Sequence, residues 1–512
     1  MRSRMRLRMR LQGNSRKKEE ERSVSSGKSV SSTSRKVLKV MSVFTGVEFF
    51  GILCSMIKMK IIAIWLEATG IGFLNMYNST VETTTFLTGL GIRQSSVRDL
   101  AKSRRAGKGI LHKAVETVRS WSLVAALLGG LGLTALSMPL AELLFENRGL
   151  WWNFVILGGA VMLNAVYAGE SAIFQASEEF RRLAKAGVIG ASAGLIVSIP
   201  LYYFLGDSGI SLSIAAYSLA TVISAWCLRN RRFDTARPAR RGLKEGVAMI
   251  RLGVWISMAG FFSTLCQLIL MTWLNRYASI AEVGLYGAGV TLVVRYTGLV
   301  FNSVSLEFYP RISANIFNPE RVRIFLNHEI NLLLLLFTPL LLLFMIFKEW
   351  IVMLLYTTEF LEIIPFITWG IVLILFRAIS NTMAMCILAR GEGKIYMLTE
   401  MADALLGLGL SILFYLKFGL TGLGMALVCW HLAYLLIVAA ICRLRYSLHL
   451  SGKTYSLISL SLLTAAGAIA LYYYVSSDII SVSTMLCAAG VYFYFFLRLF
   501  RKRRKSRTPL SQ

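Results

Sequence analysis

The chain has 512 residues, of which 56% are hydrophobic and only 16% are charged. This leaves too little polar surface to cover a water-soluble globule, so the composition excludes an ordinary soluble domain. The formal net charge of +28 lies largely in clusters beside apolar segments. Membrane topology and anionic headgroups account for such clusters, and we therefore expect no nucleic-acid partner.

Apolar stretches long enough to cross a bilayer, which takes about 20 residues, fill the chain from about residue 36. In chain order they are 38–58, 72–92, 115–138, 152–175, 185–205, 210–228, 247–274, 283–308, 329–347, 363–388, 396–416, 422–442, 455–475 and 480–499. A continuous run such as Leu332–Phe337 differs from the short alternating segments of an outer-membrane barrel. The sequence predicts an all-α polytopic membrane protein with about 14 transmembrane helices.

Most of the 55 Lys and Arg residues fall at the two ends of the chain and on alternate connections between the predicted helices. Lys and Arg near span ends are retained in the cytoplasm, so we expect both termini there. Residues 1–35 are basic and lack an apolar core. We interpret them as a disordered cytoplasmic tail and not a signal peptide, and residues 501–512 as a second basic cytoplasmic tail.

An internal repeat at an offset of 213 residues divides the chain. Three pairs mark it: Arg98 and Arg311, Glu179 and Glu392, and Gly209 and Gly422. Six predicted helices separate equivalent points, and an even number preserves orientation, so the repeats are parallel and related by an axis along the membrane normal. We expect an N-terminal six-helix lobe (36–230), a cytoplasmic linker (231–246), a C-terminal six-helix lobe (247–443) and two appended helices (454–500).

The sequence shows none of the usual signatures of catalysis or of cofactor binding. Its connections are too short for a catalytic domain, its four histidines are scattered, and no nucleotide-binding or hydrolase motif stands in a suitable context. The seven cysteines lie in or beside predicted helices without metal-binding spacing. We expect no enzyme, no cofactor and no metal, and place the function inside the helix bundle.

Polar side chains recur at helical spacing within the predicted helices, which predicts inward-facing stripes and a wet, mixed-charge lumen. The stripes are Asn75, Asn78 and Glu82; Thr291, Arg295 and Asn302; Thr45, Glu48 and Ser55; Asn164, Ala168, Ser171 and Gln175; and Arg377 and Asn381. Glu170 and Asp403 are isolated intramembrane acids, whereas Arg119 lies near the cytoplasmic boundary and is expected to be structural.

A charge at the bilayer centre costs about 3 kcal/mol on the insertion scale, so it persists where a partner, a cavity or a ligand compensates. The repeat aligns Glu82 with Arg295. These two form a structural ion pair, or each is satisfied within its own lobe, or they serve substrate binding or coupling. Arg377 has Asp403 on the next helix as a candidate partner. Glu48 is either a proton-coupling carboxylate or hydrogen-bonded to a neighbouring helix.

Three segments resemble a known family. They are Lys60–Leu74 (KIIAIWLEATGIGFL), Leu87–Ala101 (LTGLGIRQSSVRDLA) and Phe308–Ser313 (FYPRIS). They resemble the Wzx-type O-antigen translocases, which are flippases of the multidrug/oligosaccharidyl-lipid/polysaccharide exporter superfamily, and the likeness covers about residues 36–500. Glu67 departs from the family pattern, which commonly has glycine there.

The resemblance implies a polyprenyl-pyrophosphate-linked oligosaccharide as substrate, carried across the bacterial inner membrane by alternating access, with the lipid tail left in the bilayer. The expected substrate-binding residues are Arg295 and Arg377 for the diphosphate and Asn75, Asn78 and Asn302 for the sugars. The expected coupling carboxylates are Glu82, Glu48, Glu170 and Asp403. Removal of the product by polysaccharide polymerase machinery is the alternative source of energy.

Three other functions compete with that of an oligosaccharide-lipid flippase. A cation-coupled multidrug antiporter of the same superfamily would need a mainly acidic and aromatic lumen, whereas two deep arginines favour an anionic load. A membrane glycosyltransferase or polymer ligase would need catalytic carboxylates and a sizeable outer loop. A flippase for lipid-linked peptidoglycan precursor shares the fold and the diphosphate, and the sequence leaves it open.

Overall fold

The computed structural model describes residues 46–47, 49–229, 236, 238, 242–243, 246–475 and 478–506. In these ranges the regular elements are helices and no strand occurs. The prediction of an all-α membrane protein is confirmed. Glu48 lies outside the described residues, as do most of the two tails and of the predicted linker, and the side chain of Asn302 is not described either.

The first half of the described chain holds eight helices. They are α1 (residues 49–65), α2 (Glu67–Thr88), α3 (Ile92–Ala106), α4 (Lys108–Ala135), α5 (Ser137–Phe145), α6 (Trp151–Ala176), α7 (Phe180–Leu205) and α8 (Ser208–Cys227). Two of them, α3 and α5, were not among the predicted spans. The basic helix α3 is amphipathic, and it buries Ile92 and Leu100 against Val115 and Val118 of α4, which a hydropathy window cannot detect.

The second half begins with α9 (Val247–Tyr277) and α10 (Ile280–Val290), followed by a π-helical turn, Thr291–Arg295. The next helices are α11 (Tyr296–Ser313), α12 (Pro319–Leu355), α13 (Ile364–Gly370) and α14 (Leu373–Ala389), with a 3₁₀ turn, Thr358–Ile363, before α13. The helical stretch Gly393–Tyr446 is interrupted at Gly419, which divides it into α15 (393–418) and α16 (420–446). The last helices are α17 (Gly452–Tyr474) and α18 (Asp478–Ser506).

Nine helices of the described chain are long and apolar enough to cross a membrane, or ten if the segment Thr358–Gly370 and α14, bent by 51°, make one span. The protein is therefore a multi-pass membrane protein. The number of fourteen spans stays a prediction. The two numbers differ partly because the joined stretch α15–α16 is counted once, and because α2 carries a polar stripe.

The backbone repeats at the offset that the sequence predicts. Gly206, between α7 and α8, has φ 56° and ψ −134°, and Gly419, between α15 and α16, has φ 59° and ψ −143°. This left-handed region strongly favours glycine. A Cβ atom on Gly209 would overlap the carbonyl oxygen of Leu201, and one on Gly422 would overlap that of Phe414, again 213 residues on. The same tight turn therefore joins α7 to α8 in the first half and α15 to α16 in the second.

The two halves meet mainly where α2 packs against α9 and α10. Glycines allow the α2 and α10 backbones to touch: a Cβ atom on Gly72 would overlap the carbonyl oxygen of Ile280, and one on Gly284 would overlap that of Ala68. Small residues of this kind drive helix association in membranes, where apolar side chains gain nothing by leaving lipid. The extra helices α17 and α18 pack on α12, away from this junction.

Candidate functional site

Each half of the molecule encloses a polar cavity of similar size. The N-half cavity, about 280 Å³, lies among α1, α2, α6, α7 and α8. The C-half cavity, about 290 Å³, lies among α9, α10, α14, α15 and α16. These are the corresponding helices of the two repeats. The side chains that give the N-half cavity its polarity are Lys58, Asn78, Glu82, Asn164 and Ser218; those of the C-half cavity are Gln267, Arg377, Asn381, Glu400, Asp403 and His431.

The two cavities have equivalent walls. Pairs of lining residues 213 positions apart are Cys54 and Gln267, Val81 and Val294, Asn164 and Arg377, Ala191 and Ala404, Leu195 and Leu408, Ile214 and Leu427, Tyr217 and Trp430, and Ser218 and His431. The apolar pairs are conservative, whereas the polar pairs differ in charge and size. The repeat therefore preserves the shape of the pocket and changes its chemistry from one half to the other.

Arg377 and two carboxylates share the C-half cavity. The Nη1 of Arg377 donates to the carbonyl oxygen of Val294 at 3.1 Å, and its guanidinium lies 5.4 Å from the ring centre of Phe301. Among the described contacts, no ion pair joins Arg377 to Asp403 or Glu400. Arg377 and Asp403 are thus brought into one cavity, as neighbours and not as a direct pair, and most N–H groups of the guanidinium have no acceptor among the residues that the structure describes.

Neutral donors hold both carboxylates of the C-half cavity. Trp430 Nε1 donates to Asp403 Oδ1 at 2.6 Å, and the Tyr434 hydroxyl donates to Glu400 Oε1 at 2.9 Å. An ionised carboxylate can accept about four hydrogen bonds, so these contacts fix the two groups without neutralising them. The pair can therefore take up a proton or a cation within reach of the Arg377 charge.

The N-half cavity holds one acid and one base. Glu82 is exposed to it and Asn78 and Asn164 line it. Lys58 lies in the same wall, half-buried, with its ammonium 5.9 Å from the ring centre of Tyr202. An adjoining cavity of about 310 Å³ shares Glu82 and Asn164 and continues to the end of α2. Glu82 therefore stands where the two spaces meet.

Arg295 occupies the last position of the π-helical turn between α10 and α11, and its side chain is exposed. It lines neither of the two cavities, whereas Tyr286 of the preceding helix α10 lines the C-half cavity. Within the described chain no ion pair joins Arg295 to Glu82, so the structural-pair alternative is wrong for this conformation. A π turn inserts an extra residue into the helix and is frequent at functional sites.

Asn75 does not line either cavity, and its predicted place in the lumen is wrong. It is buried on the face of α2 that packs on α10, so that a Cβ atom on Gly287 would overlap its amide. Its Nδ2 makes no hydrogen bond among the described residues. Asn78, three positions on, does line the N-half cavity, because the junction with α10 takes up only part of the polar face of α2.

Glu170 is not an isolated acid, which corrects the prediction. Its Oε1 lies 2.7 Å from Nε of Arg119 and its Oε2 lies 3.2 Å from Nη2, while Nη1 of the same guanidinium donates to the carbonyl oxygen of Ala236 at 2.8 Å. The pair lines a separate cavity of about 370 Å³ that also contains Trp226 and Arg229. Glu170 is thus the partner of Arg119, and the structural role of Arg119 stays a prediction.

Sequence reasoning missed three residues of the cavities. Lys58 and Glu400 were not singled out, and His431 is one of the four histidines described only as scattered. His431 is buried in the C-half cavity with Nδ1 2.8 Å from the carbonyl oxygen of Leu427. One signal could have found Glu400: it lies three residues before Asp403, on the same face of α15.

Residues 61–365 match the family described as polysaccharide biosynthesis protein. The chain belongs to the polysaccharide biosynthesis protein family. No curated protein sequence matches it significantly. Except for Lys60, the family match covers the segments Lys60–Leu74, Leu87–Ala101 and Phe308–Ser313 that carried the resemblance, and it extends over both halves and the junction between them.

Solved structures share the fold of this family member. Lipid II flippase MurJ in an inward closed conformation is 16% identical with a TM-score of 0.69, over 90% of this chain and 99% of that one. An inward-facing MATE family multidrug resistance transporter of the MOP superfamily is 14% identical with a TM-score of 0.66, over 77% and 94%. A MOP superfamily transporter from Pyrococcus furiosus is 14% identical with a TM-score of 0.60, over 80% and 96%. At such identities the likeness establishes a shared fold alone.

Proposed function

We propose that this protein is a flippase that moves a polyprenyl-pyrophosphate-linked oligosaccharide, such as an O-antigen repeat unit, from the cytoplasmic to the outer face of a bacterial inner membrane. The observation that carries the proposal is the pair of equivalent cavities, polar and charged, inside an all-helical bundle of the polysaccharide biosynthesis family. Sugars and a diphosphate cannot cross hydrocarbon alone, because each buried polar group without a partner costs several kcal/mol. Polar cavities replace the water that such a headgroup loses.

The diphosphate would bind to the cationic side chains. Arg377 lines the C-half cavity with one hydrogen bond described for its guanidinium, a planar group suited to two-pronged phosphate contacts. Lys58 adds a positive charge in the wall of the N-half cavity. Arg295, in the turn between α10 and α11 and outside the lining of both cavities, stays a candidate for the same role.

The sugars would bind to uncharged polar and aromatic side chains. Asn78 and Asn164 on one side, and Asn381 and Trp430 on the other, present amides and a ring at the cavity walls. Such contacts tolerate a flexible headgroup, since rings and rotatable amides adapt to several sugar orientations. Asn302 stays a candidate for the same role, whereas Asn75 leaves the proposal because it is packed against α10.

Energy would enter through the carboxylates. Glu400 and Asp403 occupy positions where the first half has Gly187 and Gly190, so this acidic pair is peculiar to the C-half cavity. Uptake of a proton or cation there changes the charge opposite Arg377, and a ligand that binds one conformation better shifts the population towards it. Glu82 is a second coupling candidate, Glu48 stays a prediction, and the ion pair of Glu170 with Arg119 favours a structural role for that acid.

The two halves would rock about the glycine-lined contact of α2 with α10, opening the cavities first to one side and then to the other. The predicted N-terminal lobe (36–230), linker (231–246) and C-terminal lobe (247–443) are the moving parts in this proposal, with both termini in the cytoplasm. Outer polymerase machinery would consume the product. A lipid-linked peptidoglycan precursor is the second candidate cargo, favoured by the likeness to the solved structure described as a lipid II flippase.

The proposal is tested in proteoliposomes with a fluorescent polyprenyl-pyrophosphate oligosaccharide, by measuring the probe that becomes accessible on the far side. The native protein, Arg377→Gln and Arg295→Ala are compared, and Arg148→Gln, at an exposed surface pair with Glu142, is the matched control. We expect at least a tenfold loss in Arg377→Gln and none in the control. No flipping by folded native protein with any oligosaccharide headgroup would refute the proposal, and flipping of lipid II alone would favour the second cargo.

A further inference from the structure

Helix ends of the two halves cap one another at one end of the molecule. Lys60, near the end of α1, donates its ammonium to the carbonyl oxygen of Met353 at 2.8 Å and to that of Tyr356. Both carbonyls belong to the C-terminal end of α12, where the last four C=O groups of a helix lack intrahelical partners. A cation there is also favoured by the helix dipole. The first half therefore caps a helix of the second.

A reciprocal contact lies beside it. Glu359, in the 3₁₀ turn after α12, accepts a hydrogen bond from the backbone N–H of Ala68 at 3.3 Å. Ala68 is the second residue of α2, so its N–H is one of the four at a helix start that have no partner within the helix. A negatively charged carboxylate near a helix N-terminus also interacts favourably with the helix dipole. Here the second half caps a helix of the first.

A third cap joins α9 to α5. Asn275 Nδ2 donates to the carbonyl oxygen of Leu144 at 2.8 Å, and Arg276 Nη2 donates to that of Leu143 at 2.6 Å. Arg276 also lies 3.5 Å from Glu146, which follows α5. Glu146 and Glu359 are 213 residues apart, so the repeat places an acid at the same point of both halves, each turned towards the opposite half.

We propose that these three caps form a latch that closes this end of the molecule and opens when the halves rock. The latch comprises Lys60, Glu359, Asn275, Arg276 and the helix ends that they cap. It rests on the alternating access of the proposed function and adds to it the residues that hold one state. In the predicted topology the latched end is the outer one.

The chemistry suits a reversible closure. When the halves separate, each capped N–H or C=O group at a helix end loses its side-chain partner and forms a hydrogen bond with water instead, because the groups lie at a membrane surface. If the closed end were held by hydrophobic packing alone, opening would expose apolar surface to water. Breaking these caps costs only the difference in free energy between a hydrogen bond to protein and one to water. Since Lys60, Glu359 and Arg276 are charged, removal of one of them should favour the open state about tenfold, and removal of the neutral Asn275 amide should favour it by a smaller factor, about fivefold.

The test measures access to Cys266, which lines the C-half cavity, in a variant whose six other cysteines are replaced by Ala or Ser. A membrane-impermeant thiol reagent is added to either side of proteoliposomes of known orientation, without substrate. Lys60→Met should raise the modification rate from the latched end about tenfold and lower the rate from the other side. Lys417→Met, which removes an exposed lysine from the end of α15, is the matched control and should change neither rate.

Asn275→Ala repeats the test at the third cap, which is independent of Lys60, so a folding defect in one variant does not decide the outcome. Rates within twofold of the parent in both Lys60→Met and Asn275→Ala would overturn the latch. Because no lipid-linked sugar is used, the readout is separate from flipping. Faster access with no flipping by the parent would keep the latch and refute the proposed function, and unchanged access with normal flipping would do the reverse.

Discussion

Substitution of Glu170 by Gln should destabilise the protein without removing a coupling group. The Arg119 and Glu170 side chains are only 11% and 13% exposed, and the guanidinium donates two hydrogen bonds to Glu170. Removing one partner of a buried pair leaves an uncompensated charge and costs about 3–5 kcal/mol. The adjoining cavity of about 370 Å³ admits water, and Gln still accepts one hydrogen bond, so we expect the lower figure, about 3 kcal/mol.

The assay is the half-life of monodisperse protein in detergent at a fixed elevated temperature, because unfolding of large membrane proteins is seldom reversible. If the whole loss falls on the unfolding barrier, about 3 kcal/mol shortens the half-life about a hundredfold. The double variant Arg119→Gln/Glu170→Gln removes both charges and should recover to within about tenfold of the native protein. Flipping by the folded fraction should stay within twofold of native. A stable Glu170→Gln protein that has lost gradient-dependent flipping would refute this reasoning and restore Glu170 as a coupling carboxylate.

Three further outcomes follow from the geometry. Gly284→Ala should lower stability by about 1–3 kcal/mol in thermal-inactivation assays, because the new Cβ atom overlaps the Ala68 backbone. The control Gly159→Ala, where nothing lies within 4 Å of the new Cβ atom, should be neutral or stabilising. Equal effects of the two substitutions would contradict the close contact between α2 and α10. Asn75→Ala should leave the flipping rate within twofold of the native protein and should not lower stability, since the Asn75 amide nitrogen has no hydrogen-bond partner among the described residues. A tenfold loss of flipping would indicate that Asn75 does bind the substrate. Asp403→Asn should abolish the response of flipping to an imposed proton or sodium gradient while sparing any downhill flipping, and an unchanged response would remove the acidic pair from the coupling proposal.

Hydropathy and helical spacing led to four residues that line the two cavities, because both are local properties. The polar stripe on α2 led to Asn78 and Glu82, and the intramembrane charges led to Arg377 and Asp403, all of which line the two cavities. The repeat was readable partly because Gly209 and Gly422 recur at its offset, at positions where a Cβ atom would overlap the carbonyl oxygen of Leu201 or Phe414. Helical spacing alone, however, cannot say which neighbour a polar face meets.

The sequence by itself determined that this protein lies in a membrane, that it is helical and that it contains an internal repeat, since the length and polarity of a segment decide whether it can cross a membrane as a helix. Only the tertiary structure decided that Asn75 packs on Gly287 and that Glu170 pairs with Arg119. It alone placed Lys58 in a cavity wall and Lys60 on the end of α12. The physical reason is that a helix exposes its whole circumference, and which side chains face a cavity, a partner charge or another backbone depends on helices hundreds of residues away.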